Sequence, residues 1–355
     1  MPDNTPINFT SIAGPLLGHY MQETNAPGMS GAFVQANETE TFNAGYTDTS
    51  KFQDVTEDTV FGIGSVTKLF TALLLQSKVH AKQMKLSDPV TQYLTEYLPN
   101  PNSLPISSVT LQDLATHTSG MPDEAPGKPA TQLFLDEPPS TTLTQWWKNF
   151  QPDPGVGQCW RYSNAGFVTL GFAVGGSPNT YNTQLASLVT TPLNMPNTGA
   201  LLWLPRTITL ASAYKGTPNT TTEVDHVEVD LYSTARDMGT FLNASIFPDE
   251  STAIGKAIKE THKSRYQGTE CGSTGRREMG LAWQISTMTS GSHRYSVLSK
   301  NGTAAGYEAW IGFIPKRTGF AVLTNKVMTG ETGQLTVLCR KIMQQIVDAM
   351  TPGKG

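Results

Sequence analysis

The sequence is short of charge, of cysteine and of long apolar runs, and each shortage removes a class of protein. No stretch reaches the roughly 18 apolar residues of a membrane span. The opening Met1-Pro2-Asp3-Asn4 has neither the basic nor the apolar region of a signal peptide. The expected location is therefore the cytoplasm, or the periplasm if a leader has been removed. Lys and Arg number 25 against 29 Asp and Glu, a net charge of -4, and form no cluster. That balance speaks against nucleic acid or an anionic membrane surface as partner. The three cysteines, Cys159, Cys271 and Cys339, lie far apart with no C-x-x-C or paired histidine spacing. They read as buried or free thiols rather than as metal ligands or a redox pair. What remains is a globular chain of 355 residues, 38% hydrophobic, long enough for one large core or two smaller ones. It is expected to act as a monomer on a small molecule, with no metal and no cofactor.

The two ends of the chain carry matching patterns. Ile12, Leu16, Leu17 and Tyr20 mark one face of a first helix, and Leu335, Leu338, Cys339, Ile342, Met343, Ile346, Val347 and Met350 mark a last one. Strand-like stretches follow the first helix (30–35 and 41–45) and precede the last (295–299, 310–314 and 320–324), with a turn over 315–319. The expected fold is α/β (α+β): one antiparallel sheet built from both ends and flanked by the terminal helices. Between them, helical patterns over 111–117, 143–150, 165–174 and 233–244 predict an inserted, mostly helical region. The boundaries read as 1–78 with 275–355 for the sheet domain and 79–274 for the insertion. Pro and Gly at 122–129 and 152–157 mark loops rather than linkers.

Ser65-Val66-Thr67-Lys68 opens the apolar run Leu69 to Leu75, with Gly62 and Gly64 just before it. This predicts a tight turn feeding a buried helix. Positions three apart share a helix face, so Lys68 stands beside Ser65, and the helix N-terminus adds free N–H groups and a positive dipole end. A serine hydroxyl needs such activation to act as a nucleophile. S-x-x-K alone is a weak signal, with about one chance match expected in a chain of this length. Ser212-Ala213-Tyr214-Lys215 also matches, but Gly216 and Pro218 follow it and deny it a long helix. Tyr162-Ser163-Asn164 is the one Y-x-N and Lys300-Asn301-Gly302 the one K-x-G. Singly, the first reads as a helix-capping Ser/Asn pair before it reads as catalytic, and the second means little. A tyrosine between two ammonium groups, however, has its phenolate favoured and can shuttle the serine proton.

Taken in order, Phe61 to Lys68, Leu114 to Gly120, Tyr162 to Asn164, Lys300 to Thr303, Phe313 to Pro315 and Leu323 to Lys326 resemble the class C β-lactamases and their relatives. Those relatives include D-stereospecific peptidases and β-lactamase-like esterases. The resemblance runs from about Pro27 to Lys326 and takes in Glu260 to Tyr266. It implies that Ser65 is acylated, that Lys68 and Tyr162 share proton handling, and that Lys300 keeps positive potential near Tyr162. Asn164 would hold the acyl amide of the substrate. Asn301, Gly302 and Thr303 would line the substrate, the backbone N–H groups of Thr303 and Ser65 forming the oxyanion hole.

Three departures bear on the substrate. Asn301 stands where the class C enzymes usually carry Thr or Ser, a hydroxyl that helps bind the antibiotic carboxylate. Val327, Gly330 and Gly333 stand where they usually have further Asn and Arg for the same group. The stretch from Trp283 to Lys300 is also much shorter than theirs. A β-lactam is the first expectation, with an ester or a D-amino-acid amide as the alternative, and a penicillin-binding protein without turnover as a third reading. Asp123 and Glu124, an acidic pair near the place of a family glutamine, read as a solvated loop that could also attract an amine.

Overall fold

The computed structural model describes residues 6–125, 141–216, 220–221, 230–328 and 334–351. Helix α1 (Phe9–Thr24) leads into β1 (Gly28–Gln35) and β2 (Glu38–Gly45). Strand β3 (Thr59–Gly62) runs into a 3-10 turn, Gly64–Val66, and then α2 (Thr67–His80). The helical region holds α3 (Leu111–Ala115), α4 (Thr141–Asn149), α5 (Asn164–Gly175) and α6 (Pro178–Leu185). After it come β4 (Leu231–Ser233), α7 (Ala235–Ile246) and α8 (Ala253–Thr261). Strands β5 (Tyr266–Thr269), β6 (Arg276–Met279), β7 (Gln284–Ser290), β8 (His293–Ala304), β9 (Tyr307–Ile314) and β10 (Thr318–Thr324) precede α9 (Gln334–Ala349).

The expected antiparallel sheet is present, with eight strands in the order β2-β1-β10-β9-β8-β7-β6-β5. β1 from one end of the chain pairs with β10 from the other, Met29 opposite Thr324 through Gln35 opposite Thr318. The central strands are apolar on both faces because both faces are covered. Along β9, Trp310 and Ile314 pack with Phe9, Leu17, Ile342 and Val347 beneath α1 and α9. Ala309, Ile311 and Phe313 point the other way, into the large core shared with α2, α5 and α7. The turn expected over 315–319 is shorter, since β10 begins at Thr318.

Helix α2 is buried from Thr67 through Gln76. A helix apolar almost all round belongs in a core, and this one carries its N-terminus to the place where the sheet and the helical region meet. Of the loops read from Pro and Gly, 152–157 is one, while 126–129, like Gly330 and Gly333, lies outside the described residues.

Candidate active site

Ser65 lies in the Gly64–Val66 turn just before α2 rather than in the helix itself. Side chains three apart nearly eclipse in a 3-10 turn, so the predicted alignment survives: Lys68 Nζ donates to Ser65 Oγ at 2.9 Å. The lysine is buried and also donates to Asn164 Oδ1 at 2.7 Å. Ser65 Oγ lies 2.5 Å from the Tyr162 hydroxyl. Ser65 Oγ therefore touches both groups at once, accepting from Lys68 and sharing a hydrogen bond with the Tyr162 hydroxyl in which either oxygen can donate.

The helix-cap reading of the Y-x-N stretch holds at Ser163. Its side chain caps α5, accepting from the Gly166 amide at 2.7 Å and donating to the Pro122 carbonyl at 2.6 Å. That cap fixes Tyr162 on one side of it and Asn164 on the other.

The strand expected over 295–299 would stop just short of Lys300. β8 instead continues to Ala304, pairing Lys300 with Ile311 and Thr303 with Glu308 on β9. Its pairing with β7 stops at Ser299 opposite Gln284, because the chain at Ala282, with φ +63°, turns off to donate to the Ala115 carbonyl. Among the described residues, 300–304 are therefore paired on one side only. Two glycines let this segment press on the Ser65 turn. A Cβ at Gly64, where φ is +47°, would meet the Thr303 backbone at 2.6 Å, and Gly302 faces the same turn from the strand. Asn301 and Thr303 are exposed, and Lys300 is buried.

The electrostatics follow from this packing. Lys68 Nζ and Lys300 Nζ stand 5.1 Å and 5.4 Å from the centre of the Tyr162 ring. Burial pushes the phenol up, but the two cations, helped by the contacts with Lys68 and Ser65, pull it below the ordinary tyrosine value. Burial brings Lys300 down to about 8; the negative charge on Tyr162 opposes this and Lys68 adds to it.

The family model described as Beta-lactamase matches residues 15–336. The chain belongs to the beta-lactamase family. It is 27% identical to a protein named "Beta-lactamase" from Yersinia enterocolitica, over 91% of this chain and 88% of that protein. It is likewise 27% identical to "D-alanyl-D-alanine-carboxypeptidase/endopeptidase AmpH" from Escherichia coli (strain K12), over 92% of this chain and 87% of that one. A solved structure titled "A class C beta-lactamase" shares the fold, with a TM-score of 0.79, 22% identity and 95% and 96% of the two chains covered.

In this family member further groups stand near these residues. His117, with φ +60° and fully enclosed, accepts from the Ser163 amide through Nδ1 at 3.1 Å, and its ring lies 4.6 Å from that of Tyr162. Burial, then Lys68 and Lys300, hold its pKa well below the usual histidine value, so it is neutral. Asp123, read as a loop residue, accepts from Asn164 Nδ2 at 2.9 Å. Asp230 is near enough to Lys68 to feel its charge; burial raises its pKa and Lys68 lowers it.

Cys159 and Cys271 need correction: they form a disulfide with 5.1 Å between Cα atoms, and of the three only Cys339 is a free, buried thiol. The bridge fastens the strand-like approach to Tyr162 onto the end of β5, where the Trp160 amide donates to Thr269 and the Cys271 amide to Trp160. Ser212, the rival S-x-x-K serine, lies outside any helix and donates to Asp48 at 2.9 Å.

Proposed function

We propose that the protein is a class C-like serine β-lactamase working through an acyl-enzyme on Ser65. The observation that carries the reading is the 2.5 Å contact between Ser65 Oγ and the Tyr162 oxygen, with Lys68 donating to the same Oγ. Tyr162, with its phenolate favoured by two cations, takes the serine proton as Oγ attacks the lactam carbonyl. The Ser65 and Thr303 N–H groups receive the developing oxyanion, and Gly302 allows their approach. Tyr162 gives the proton to the ring nitrogen as the amide C–N bond breaks; it then takes a proton from the attacking water and passes it to Ser65 Oγ as the acyl–oxygen bond breaks and the product leaves. Lys300 sustains the positive field, and Asn164 holds Lys68 in place. His117 keeps Tyr162 and Ser163 in register. The binding roles of Asn301, Gly302 and Thr303 and the absence of any cofactor belong to the same proposal.

A second reading, an esterase or D-amino-acid peptidase with the same residues, is favoured by one feature. β7 and β8 are joined by a tight turn at Gly291, so the long segment next to the lysine strand is missing and fewer groups are at hand for a carboxylate. We also propose the division 1–78 with 275–355 against 79–274, the site lying between them; β5 joins the sheet a little ahead of that boundary. Among the described residues no helix is long and apolar enough to cross a membrane. The disulfide favours an oxidising compartment, the periplasm, over the cytoplasm.

Burst kinetics with nitrocefin and p-nitrophenyl acetate separate the readings. Turnover of nitrocefin beyond one equivalent is expected. Turnover of the ester alone replaces the first reading with the second, and a stoichiometric burst without turnover makes the protein a penicillin binder.

A further inference from the structure

Asp123 lies on the loop after α3, and that loop is tied to the start of α5. The Ala165 amide donates to the Asp123 carbonyl at 3.0 Å, next to the bond from Ser163 to Pro122. The carboxylate oxygen Oδ1 of Asp123 accepts twice from Asn164, from Nδ2 at 2.9 Å and from the backbone amide at 3.3 Å. Glu124 Oε1 stands 3.5 Å from the same Nδ2. The other end of the Asn164 amide is already committed, since its Oδ1 accepts from Lys68.

A primary amide has one carbonyl and two N–H donors. Here the carbonyl belongs to Lys68, one N–H belongs to Asp123 and the second is directed towards Glu124. Little is left to donate to the carbonyl of a substrate's acyl amide. What the site presents beside Asn164 is the exposed carboxylate of Asp123, an acceptor where the bare amide would be a donor.

We propose that Asp123 is a specificity-determining residue: it orients Asn164 towards Lys68, and it selects substrates whose acyl side chain carries an ammonium next to the carbonyl of its side-chain amide. Such a group forms a charge-assisted hydrogen bond with Asp123, whereas an acyl group offering only a carbonyl and an apolar ring meets an acceptor it cannot satisfy. This rests on the acyl-enzyme reading of Ser65 and narrows its substrate class.

Ampicillin and penicillin G differ by one α-amino group and so isolate the interaction. The full-length protein is expected to favour ampicillin in kcat/KM by about tenfold or more, chiefly through KM. Asp123→Asn keeps an oxygen for Asn164 but loses the charge, and is expected to bring the ratio to within about threefold, with Asp123→Glu restoring part of it. In the unaltered protein the preference should also fade as pH rises through the amine's pKa, about 8 for an α-amino group. That series decides the matter even if a variant fails to fold. Equal kcat/KM for the two antibiotics, or a preference untouched by Asp123→Asn or by pH, overturns the proposal. Mass spectrometry of Ser65 separates the two levels. If both antibiotics acylate Ser65 without preference, the hydrolase reading stands and the role of Asp123 falls. If neither acylates it, and the p-nitrophenyl esters of phenylglycine and phenylacetic acid also fail, both fall.

Discussion

Gly302 passes so close to Ser65 that a Cβ added to it would stand 2.9 Å from the Ser65 nitrogen and 2.0 Å from the Ile63 carbonyl oxygen. The strand and the nucleophile turn are thus held at a separation only a glycine permits, and that separation sets the distance between the two proposed oxyanion donors. Gly302→Ala should push β8 away and slow acylation about a hundredfold, the usual cost of misplacing such a group by about 1 Å. Single-turnover acylation by nitrocefin measures this. An alanine variant that acylates at the rate of the unaltered protein removes the oxyanion role from this contact.

The charge of Lys300 predicts a descending limb in the pH profile. Its pKa is lowered to about 8, so the cation that favours the Tyr162 phenolate is present below that pH and lost above it. The limb belongs to the interacting set of Lys68, Tyr162 and Lys300 rather than to one group. Arginine stays charged throughout, so Lys300→Arg should move the descending limb of kcat/KM to higher pH. Were the limb to stay in place, another group would have to be responsible.

Much of the site was legible because its parts are local. Ser65 and Lys68 are three residues apart, and a run of apolar residues after them announces a buried helix whatever surrounds it. The central strands were legible for the same reason, being apolar along their length. β5 and β6 were not: Tyr266–Thr269 and Arg276–Met279 lie at the sheet's edge, largely in contact with solvent, and carry almost no apolar alternation. Asp123 meets Asn164 across 41 residues and Cys159 meets Cys271 across 112. Pairings of that kind are set by tertiary packing, and neither residue's neighbours in the chain announce its partner. His117 lies inside the resembling stretch 114–120, yet its imidazole meets the Ser163 amide from a backbone turned to positive φ, which a histidine does not advertise.

The disulfide should matter to stability and to the position of Tyr162 together. Closing a loop of 112 residues gives an upper value of roughly 4 to 5 kcal/mol on a chain-entropy argument. Cys159→Ser with Cys271→Ser is therefore expected to lower the urea midpoint clearly and to slow acylation, since the loop carrying Trp160 is released from β5. A double variant with unchanged midpoint and acylation would show that the backbone bonds around Trp160 suffice by themselves.

The most direct test is the intact mass of the protein after a brief exposure to a penicillin, with peptide mapping of the adduct. The expected result is one covalent acyl group, located on Ser65, absent from Ser65→Ala and retained in Ser212→Ala. An adduct that maps to any other residue, or that forms on Ser65→Ala at the original rate, contradicts the assignment of Ser65 as nucleophile and the acyl-enzyme account built on it.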